Sequence, residues 1–266
     1  MFKQGFSNMH NHMRILAYPL ILDWLFLLTA LTLTGITLTR TWSVELVVGP
    51  TLPTVDQLMA DANSLLGVEI EAAMANPGFF SILIVLFLIW MAVSIFMEAG
   101  YFYLIWRGAN GESTDLPTFL RGGMTFWFRF FLLYLLIFAL ILGLGLIGAI
   151  VIVPFGIVGL ILMALGVLIV RLLFIYLEFT IIAEDTGIFD GIGQSYELFK
   201  ASRFTELIGF TVVMALTTGA LGLSVNFVAE PYFLFLTAPV FVYVVTGFMF
   251  TLMQLMMKAR QNLYPV

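Results

Sequence analysis

Between Phe126 and Ala183 the chain is almost continuously apolar. A helix needs only about 20 residues to cross a bilayer, so a run of this length must cross and come back. Gly148, Pro154 and Gly156 lie within it. These breakers predict a tight helical hairpin that turns near Val153–Gly156. Further apolar runs complete a set of six expected spans: about Ile15–Ile36, Phe79–Leu104, Phe126–Ile150, Ile157–Phe179, Leu207–Val225 and Tyr232–Met257. Only 10% of the 266 residues are charged and 62% are hydrophobic. A soluble domain carries about 25% charged residues, too many for this composition to match. The expected fold class is therefore all-α: a polytopic membrane helix bundle forming one integral domain over residues 1–266.

Basic residues orient that bundle. Lys3, Arg14, Arg107, Arg121, Lys200, Arg203, Lys258 and Arg260 fall in the N-terminus, the second and fourth loops and the C-terminus. Arg40 alone falls on the other side, so the positive-inside rule puts both termini in the cytoplasm. The first span does not read as a removable signal peptide, because Asp23 interrupts a long apolar stretch with no clear cleavage site after it. Ahead of it, Phe2, Phe6, Met9 and Met13 recur at helical spacing. That pattern suits either a short helix on the inner leaflet or a frayed terminus.

The external loop 37–77 carries Glu45, Asp56, Asp61, Glu69 and Glu71. Thr51 and Pro53 are placed to start a helix with Val55, Leu58, Met59, Ala62, Leu65 and Leu66 on one face. Such a helix is expected to cap the outer end, as an acidic lid or as a solvated surface. The cytoplasmic segments 108–125 and 184–205 resemble each other. Glu112-Ser-Thr-Asp-Leu116 aligns with Glu184-Asp-Thr-Gly-Ile188, and Leu120 and Met124 then fall opposite Ile192 and Tyr196. Acidic and hydroxyl residues at the start of each suit a helix N-terminus. In the fourth loop Ile188, Ile192, Tyr196 and Phe199 make an apolar face opposed by Asp190, Gln194, Glu197 and Lys200. A duplication here would be a parallel repeat of the kind transporters use.

The stretch from Phe179 to Lys200, with Glu184-Asp185, Gly187, Gly191, Ser195 and Phe199-Lys200, resembles a loop of bacterial multi-span membrane proteins. These are the glycerophosphodiester-phosphodiesterase membrane-domain family and its relatives of unknown function. Gly111, Leu116-Pro117 and Gly122 look like the related segment there. The resemblance covers about the central half of the chain. It implies a multi-span protein of the bacterial cytoplasmic membrane. In that family the phosphodiesterase chemistry belongs to a separate soluble domain, so no catalytic residue carries over.

Five ionisable residues interrupt the spans: Asp23, Glu98, Arg129, Arg171 and Glu178. An ionisable group in hydrocarbon normally faces a partner or a watery cavity. Asp23 and Glu98 each lie nine residues from a cytoplasmic arginine, about 13 Å of helix rise and close to mid-membrane. Arg171 shares that level, so pairing with Glu98 or Asp23 is expected. Arg129 is expected to pair with Glu178. Three acids against two bases leave a surplus carboxyl. That surplus fits a proton- or cation-linked site, or an ion-pair network that fixes helix packing.

Other features exclude more than they establish. Gly143-Leu-Gly-Leu-Ile-Gly148 has the dinucleotide spacing, but that motif works only as a strand-to-helix turn. Inside a span it points to close helix contact or a hinge, extended by Gly156 and Gly159. Thr211, Thr217, Thr218, Ser224, Asn226, Thr237, Tyr243, Thr246, Thr251 and Gln254 give the last two spans polar groups, either along a solute path or in local hydrogen bonds. Pro239 and Gly247 are candidate bends. Cysteine is absent and His10 and His12 are the two histidines. No metal site, cofactor or catalytic set is therefore expected, and the chain reads as a non-enzyme. No basic patch suits nucleic acid. The leading expectation is a small transporter or permease subunit. The alternative is a lipid-binding, membrane-organising or stress-protective protein. Membrane lipids are expected partners. Glu184, Asp185, Asp190, Ser195 and Lys200 are the residues offered to a cytoplasmic partner, and a homo-oligomer is compatible with the pattern.

Overall fold

The structure is a computed structural model that describes residues 1–33, 42, 46–58, 77–228 and 230–264. The described residues form helices and turns, with no strand among them. Five helices are long and apolar enough to cross a membrane, and a bent pair at the N-terminus supplies up to a sixth. The chain is thus a multi-pass helical membrane protein.

Helix α1 (Phe2–Asn11) turns through 85° into the segment that becomes α2 (Ala17–Leu33). Of the two N-terminal alternatives the helix forms, and its apolar face turns to protein. Phe2 meets Phe210 and Phe248 with ring centroids 6.0 Å apart, and Met9 is fully buried. Helix α3 covers Pro77–Ala109. Asp115 then caps α4 (Leu116–Leu173) by accepting from the Thr118 amide at 3.0 Å. Hydrogen bonds from Thr118 hold the exposed Asp115 carboxyl below the usual aspartate range.

Helix α4 is the predicted hairpin. At Gly156 the backbone leaves helical geometry, with φ 55° and ψ −129°, a conformation glycine adopts without a Cβ clash. Tyr134 and Arg171 both reach the surroundings of Glu98, and Arg129 reaches Asp185. A straight helix would hold residues 134 and 171 about 55 Å apart, so the chain has reversed between them. The legs stand away from the bundle. Leu146, Phe155, Ile157 and most residues to Val170 are exposed, which is expected of a surface that faces lipid. A side chain added at Gly143, Gly145 or Gly156 would meet nothing, so of the two expectations, close helix contact or a hinge, contact is absent at these three and Gly156 is the hinge; Gly148 and Gly159 are buried.

The fourth span is broken. After Leu173 the chain turns through residues 174–176 and restarts as α5 (Leu177–Ala183), buried from Leu177 to Ile182. Helix α6 (Ile188–Ala201) runs beside it, followed by α7 (Phe204–Val228) and α8 (Pro231–Leu263). Pro239 lies inside α8 without ending it. Leu116 and Ile188, aligned in the sequence comparison, are the first residues of α4 and α6. Three residues of the expected α6 face, Ile188, Ile192 and Phe199, pack against the core beside buried Gly191, Ser195 and Leu198, whereas Tyr196 is exposed, as are Leu120 and Met124 on α4.

The four basic segments meet at one end. His12 lies 3.2 Å from the Thr114 hydroxyl, Lys258 pairs with Glu206 at 2.9 Å and Arg260 with Glu184 at 3.2 Å. Positive-inside reasoning assigns this end to the cytoplasm.

Candidate functional site: a re-entrant segment among buried charges

Residues 46–58, expected outside as part of an external loop, run into the bundle. Their sequence explains why they do so without a long helix. Pro50 and Pro53 each remove a backbone donor and restrict the residue before them. Gly49 sits at φ +102°, where a side chain would be strained. Only Val55–Leu58 wind into a 3-10 turn. Val47, Leu52, Val55 and Leu58 are buried, anchoring the segment by its apolar side chains. Gln57 donates to the Thr51 hydroxyl at 2.6 Å and to the Leu52 carbonyl at 3.2 Å, closing the segment on itself. The helix expected from Thr51 onward continues into 59–76, outside the described residues, as do Glu45, Asp61, Glu69 and Glu71. The Asp56 side chain is also outside them.

Extended backbone inside a bundle must find partners for its N–H and C=O groups, since lipid offers none. Here the partners are the intramembrane charges. Arg171 donates from Nε to the Val48 carbonyl at 3.1 Å and from Nη2 to the Pro50 carbonyl at 2.6 Å. The Val55 amide donates to Asp23 Oδ1 at 2.9 Å. The Leu52 amide is directed to the Glu98 carboxylate, which also accepts from the Tyr134 hydroxyl. The Val47 amide meets the Thr218 hydroxyl at 3.4 Å. Carbonyls go to the cation and amides to the anions, so one segment reads the charge pattern of α2, α3 and α4.

The ion pairs differ from those expected. Arg171 pairs through Nη1 with Glu178 Oε1 at 2.6 Å, not with Glu98 or Asp23. The break at 174–176 makes this favourable. Arg171 lies in the last turn of α4 and Glu178 in the first turn of α5, where the helix-end dipoles attract a cation and an anion respectively. Arg129, expected to hold Glu178, pairs with Asp185 at 2.6 Å and donates to the Thr186 carbonyl at 3.2 Å. Those bonds clasp a turn in which Asp185 adopts φ 51°, a left-handed geometry that aspartate tolerates better than most residues. The expected five-residue network is therefore two units: Asp23, Glu98, Arg171 and Glu178 around the re-entrant segment, and Arg129 with the fourth loop. Asp23, Glu98 and Glu178 are buried, at 2%, 8% and 5% exposure.

The residues offered to a cytoplasmic partner also divide. Glu184 and Asp185 are held by Arg260 and Arg129, and Ser195 is fully buried, so it cannot present itself at a surface. Asp190 and Lys200 are exposed. Lys200 pairs with Glu197 at 2.9 Å and lies 4.3 Å from the Tyr196 ring centroid; the hydrogen bond to Glu197 holds its ammonium above the usual lysine range.

In the last two spans Thr211, Thr217, Thr218, Ser224, Thr237 and Thr251 satisfy their hydroxyls locally, each donating to a carbonyl three or four residues back. The buried Gln254 Oε1, in contrast, accepts no hydrogen bond among the described residues. Thr246 accepts from the Tyr101 hydroxyl at 2.9 Å across helices. For these threonines and Ser224 this favours the local hydrogen-bond reading over a solute path.

What sequence reasoning missed is the segment itself. Its signal was legible: Val47, Val48 and Leu52 are apolar for a solvated loop, and Gly49, Pro50 and Pro53 forbid a simple helix. Among the described residues no cluster of acidic or histidine side chains is arranged to hold a metal ion. Comparison with protein-family profiles, with curated proteins and with solved structures found no match.

Proposed function

We propose that this chain is a transport protein of the bacterial cytoplasmic membrane, acting as a small carrier or as the membrane subunit of a larger one. The carrying observation is the re-entrant segment, whose backbone is aimed at ionisable side chains from three spans. Transporters characteristically build substrate and coupling-ion sites where helices are discontinuous and unwound backbone lines the protein interior. Both features occur here, in residues 46–58 and in the break at 174–176. The resemblance of the Phe179–Lys200 stretch to bacterial multi-span membrane proteins fits the same reading and adds no catalytic role.

The mechanism follows from charge. Glu98 and Glu178 lie in the field of one guanidinium, that of Arg171, so a proton or monovalent cation entering the cluster reduces an excess of negative charge. Glu98 is the assigned carrier of that charge, because its contacts are a tyrosine hydroxyl and an amide and not a salt-bridge partner. Arg171 grips the segment by two carbonyls and α5 through Glu178. Neutralising Glu98 leaves Arg171 drawn more strongly to Glu178, which loosens its hold on Val48 and Pro50. The segment then moves as a gate.

The test is charge displacement by the purified protein in liposomes on a solid-supported membrane, after a pH jump. A transient current that Glu98→Gln abolishes, with thermal stability retained, supports the assignment. An equal current from Glu98→Gln, or none from the unaltered protein across pH 5–9, overturns it.

A further inference from the structure

Helices α3 and α4 approach closely near the cytoplasmic end. At Gly123 an added Cβ would lie 2.6 Å from the Phe96 ring, so glycine permits the near contact. Beside it lies a shallow, open groove of about 450 Å³ lined by Ala92, Val93, Phe96, Met124 and Trp127, with Val93 and Met124 exposed. Trp127 donates its indole N–H to the Ala92 carbonyl at 3.1 Å, so its polar atom is satisfied and its ring serves as apolar wall. Arg121 lies three residues before Met124, about 4.5 Å of rise toward the cytoplasmic end. It is exposed and makes no ion pair among the described residues. Asp115, the nearest acid along α4, is turned onto the Thr118 amide.

We propose that this groove holds one acyl chain of an anionic phospholipid of the inner leaflet, with Arg121 on the headgroup phosphate. The depth order is right for such a lipid: a cation at headgroup level and an apolar groove directly above it. A long arginine side chain reaches toward the interface while its stem stays along apolar surface. Basic residues at the cytoplasmic ends of spans attract anionic headgroups in this way. A second copy of the chain would need an acidic partner for Arg121 as well as an apolar ridge for the groove. The exposed apolar hairpin legs supply no such acid.

Native mass spectrometry of the full chain, purified in detergent and supplied with phosphatidylglycerol or phosphatidylethanolamine, tests this. One phosphatidylglycerol is expected to survive activation that strips phosphatidylethanolamine. Arg121→Gln is expected to lower that retention about fivefold, toward the zwitterionic lipid, and Val93→Trp, which fills the groove, to remove it. Equal retention of both lipids, unchanged retention in Arg121→Gln, or a dimer mass without lipid overturns the proposal. Should a variant fail to fold, a phosphatidylglycerol with a diazirine in its acyl chain is used on the unaltered protein. Label concentrated on residues 92–96 and 124–127 supports the site, and label spread evenly over the hairpin legs refutes it.

Discussion

The hairpin and the charged centre obey opposite rules. The hairpin legs, Leu116–Leu146 and Phe155–Ala183, are the two most apolar spans, yet only 11% and 6% of their most apolar stretches are buried. Tyr232–Leu263 is less apolar and 61% buried. In water the most hydrophobic helix would seek the core. In lipid the tails are as apolar as leucine, and association follows packing and polar contacts. Burial in this molecule therefore tracks what must be kept from lipid. Asp23, Glu98, Glu178, Thr246 and the open backbone of residues 46–58 are inside, and Leu160, Ile161 and Ile169 are outside.

That contrast is sharpest at Arg171. Arg171→Gln leaves Glu178 buried without its cation and frees the carbonyls of Val48 and Pro50. A loss of about 3–5 kcal/mol is expected, read as a fall in thermal stability in detergent with new protease cleavage within 46–58. Arg171→Gln combined with Glu178→Gln recovers most of it. If the single variant is as stable as the parent, the segment is not held by charge. Packing comes next. Phe130→Ala, at a fully buried ring 6.0 Å from Phe102, is expected to lose about 3 kcal/mol. Ile157→Ala, at 76% exposure, should change stability by less than about 0.5 kcal/mol. Equal losses would erase the distinction between the two regions.

Gly49→Ala is smaller. It forces a side chain into a left-handed conformation beside the Arg171 guanidinium, whose Nε would lie 2.9 Å from the new Cβ. About 1–2 kcal/mol of destabilisation is expected, with increased hydrogen exchange at Val55, while Gly166→Ala in the hairpin should be neutral or slightly stabilising. The least effect belongs to Asp115. Its folded pKa is depressed, so its capping contribution is complete above the ordinary value of 3.8 and is lost as pH falls through the lower folded value. Exchange of the Thr118 amide, corrected for its intrinsic pH dependence, should show less protection below pH 3, with no matching change at the buried Thr180 amide.

The sequence disclosed the parts that hydropathy governs. Gly156 marks the hairpin, the basic residues mark one end, and Leu116 and Ile188 mark two helix starts. The centre was harder for a physical reason. Depth was inferred from straight helices counted inward from cytoplasmic arginines, and that assumption fails where a helix breaks. Residues 174–176 are Phe, Ile and Tyr, with no glycine or proline to announce the turn. Pairing Arg171 with Glu98 followed from equal depth, whereas the break offered Glu178 a better dipole. Backbone groups of a distant segment were also invisible as partners, because every residue has them.

The crossing of α1 on α8 bears on how the molecule is made. Gly247 lies against the Phe6 ring and Gly5 against Thr251, so the two helices touch almost backbone to backbone. In chain order α1 precedes α8, with the other helices described here between them. Until α8 has left the ribosome, Phe6 lacks the Tyr243 and Phe248 rings it packs on, and Phe2 has Phe210 of α7 without Phe248. Closure of this crossing thus waits until α8 has been made. A chain that stops short of α8 therefore exposes an aromatic helix face that proteases and chaperones can recognise.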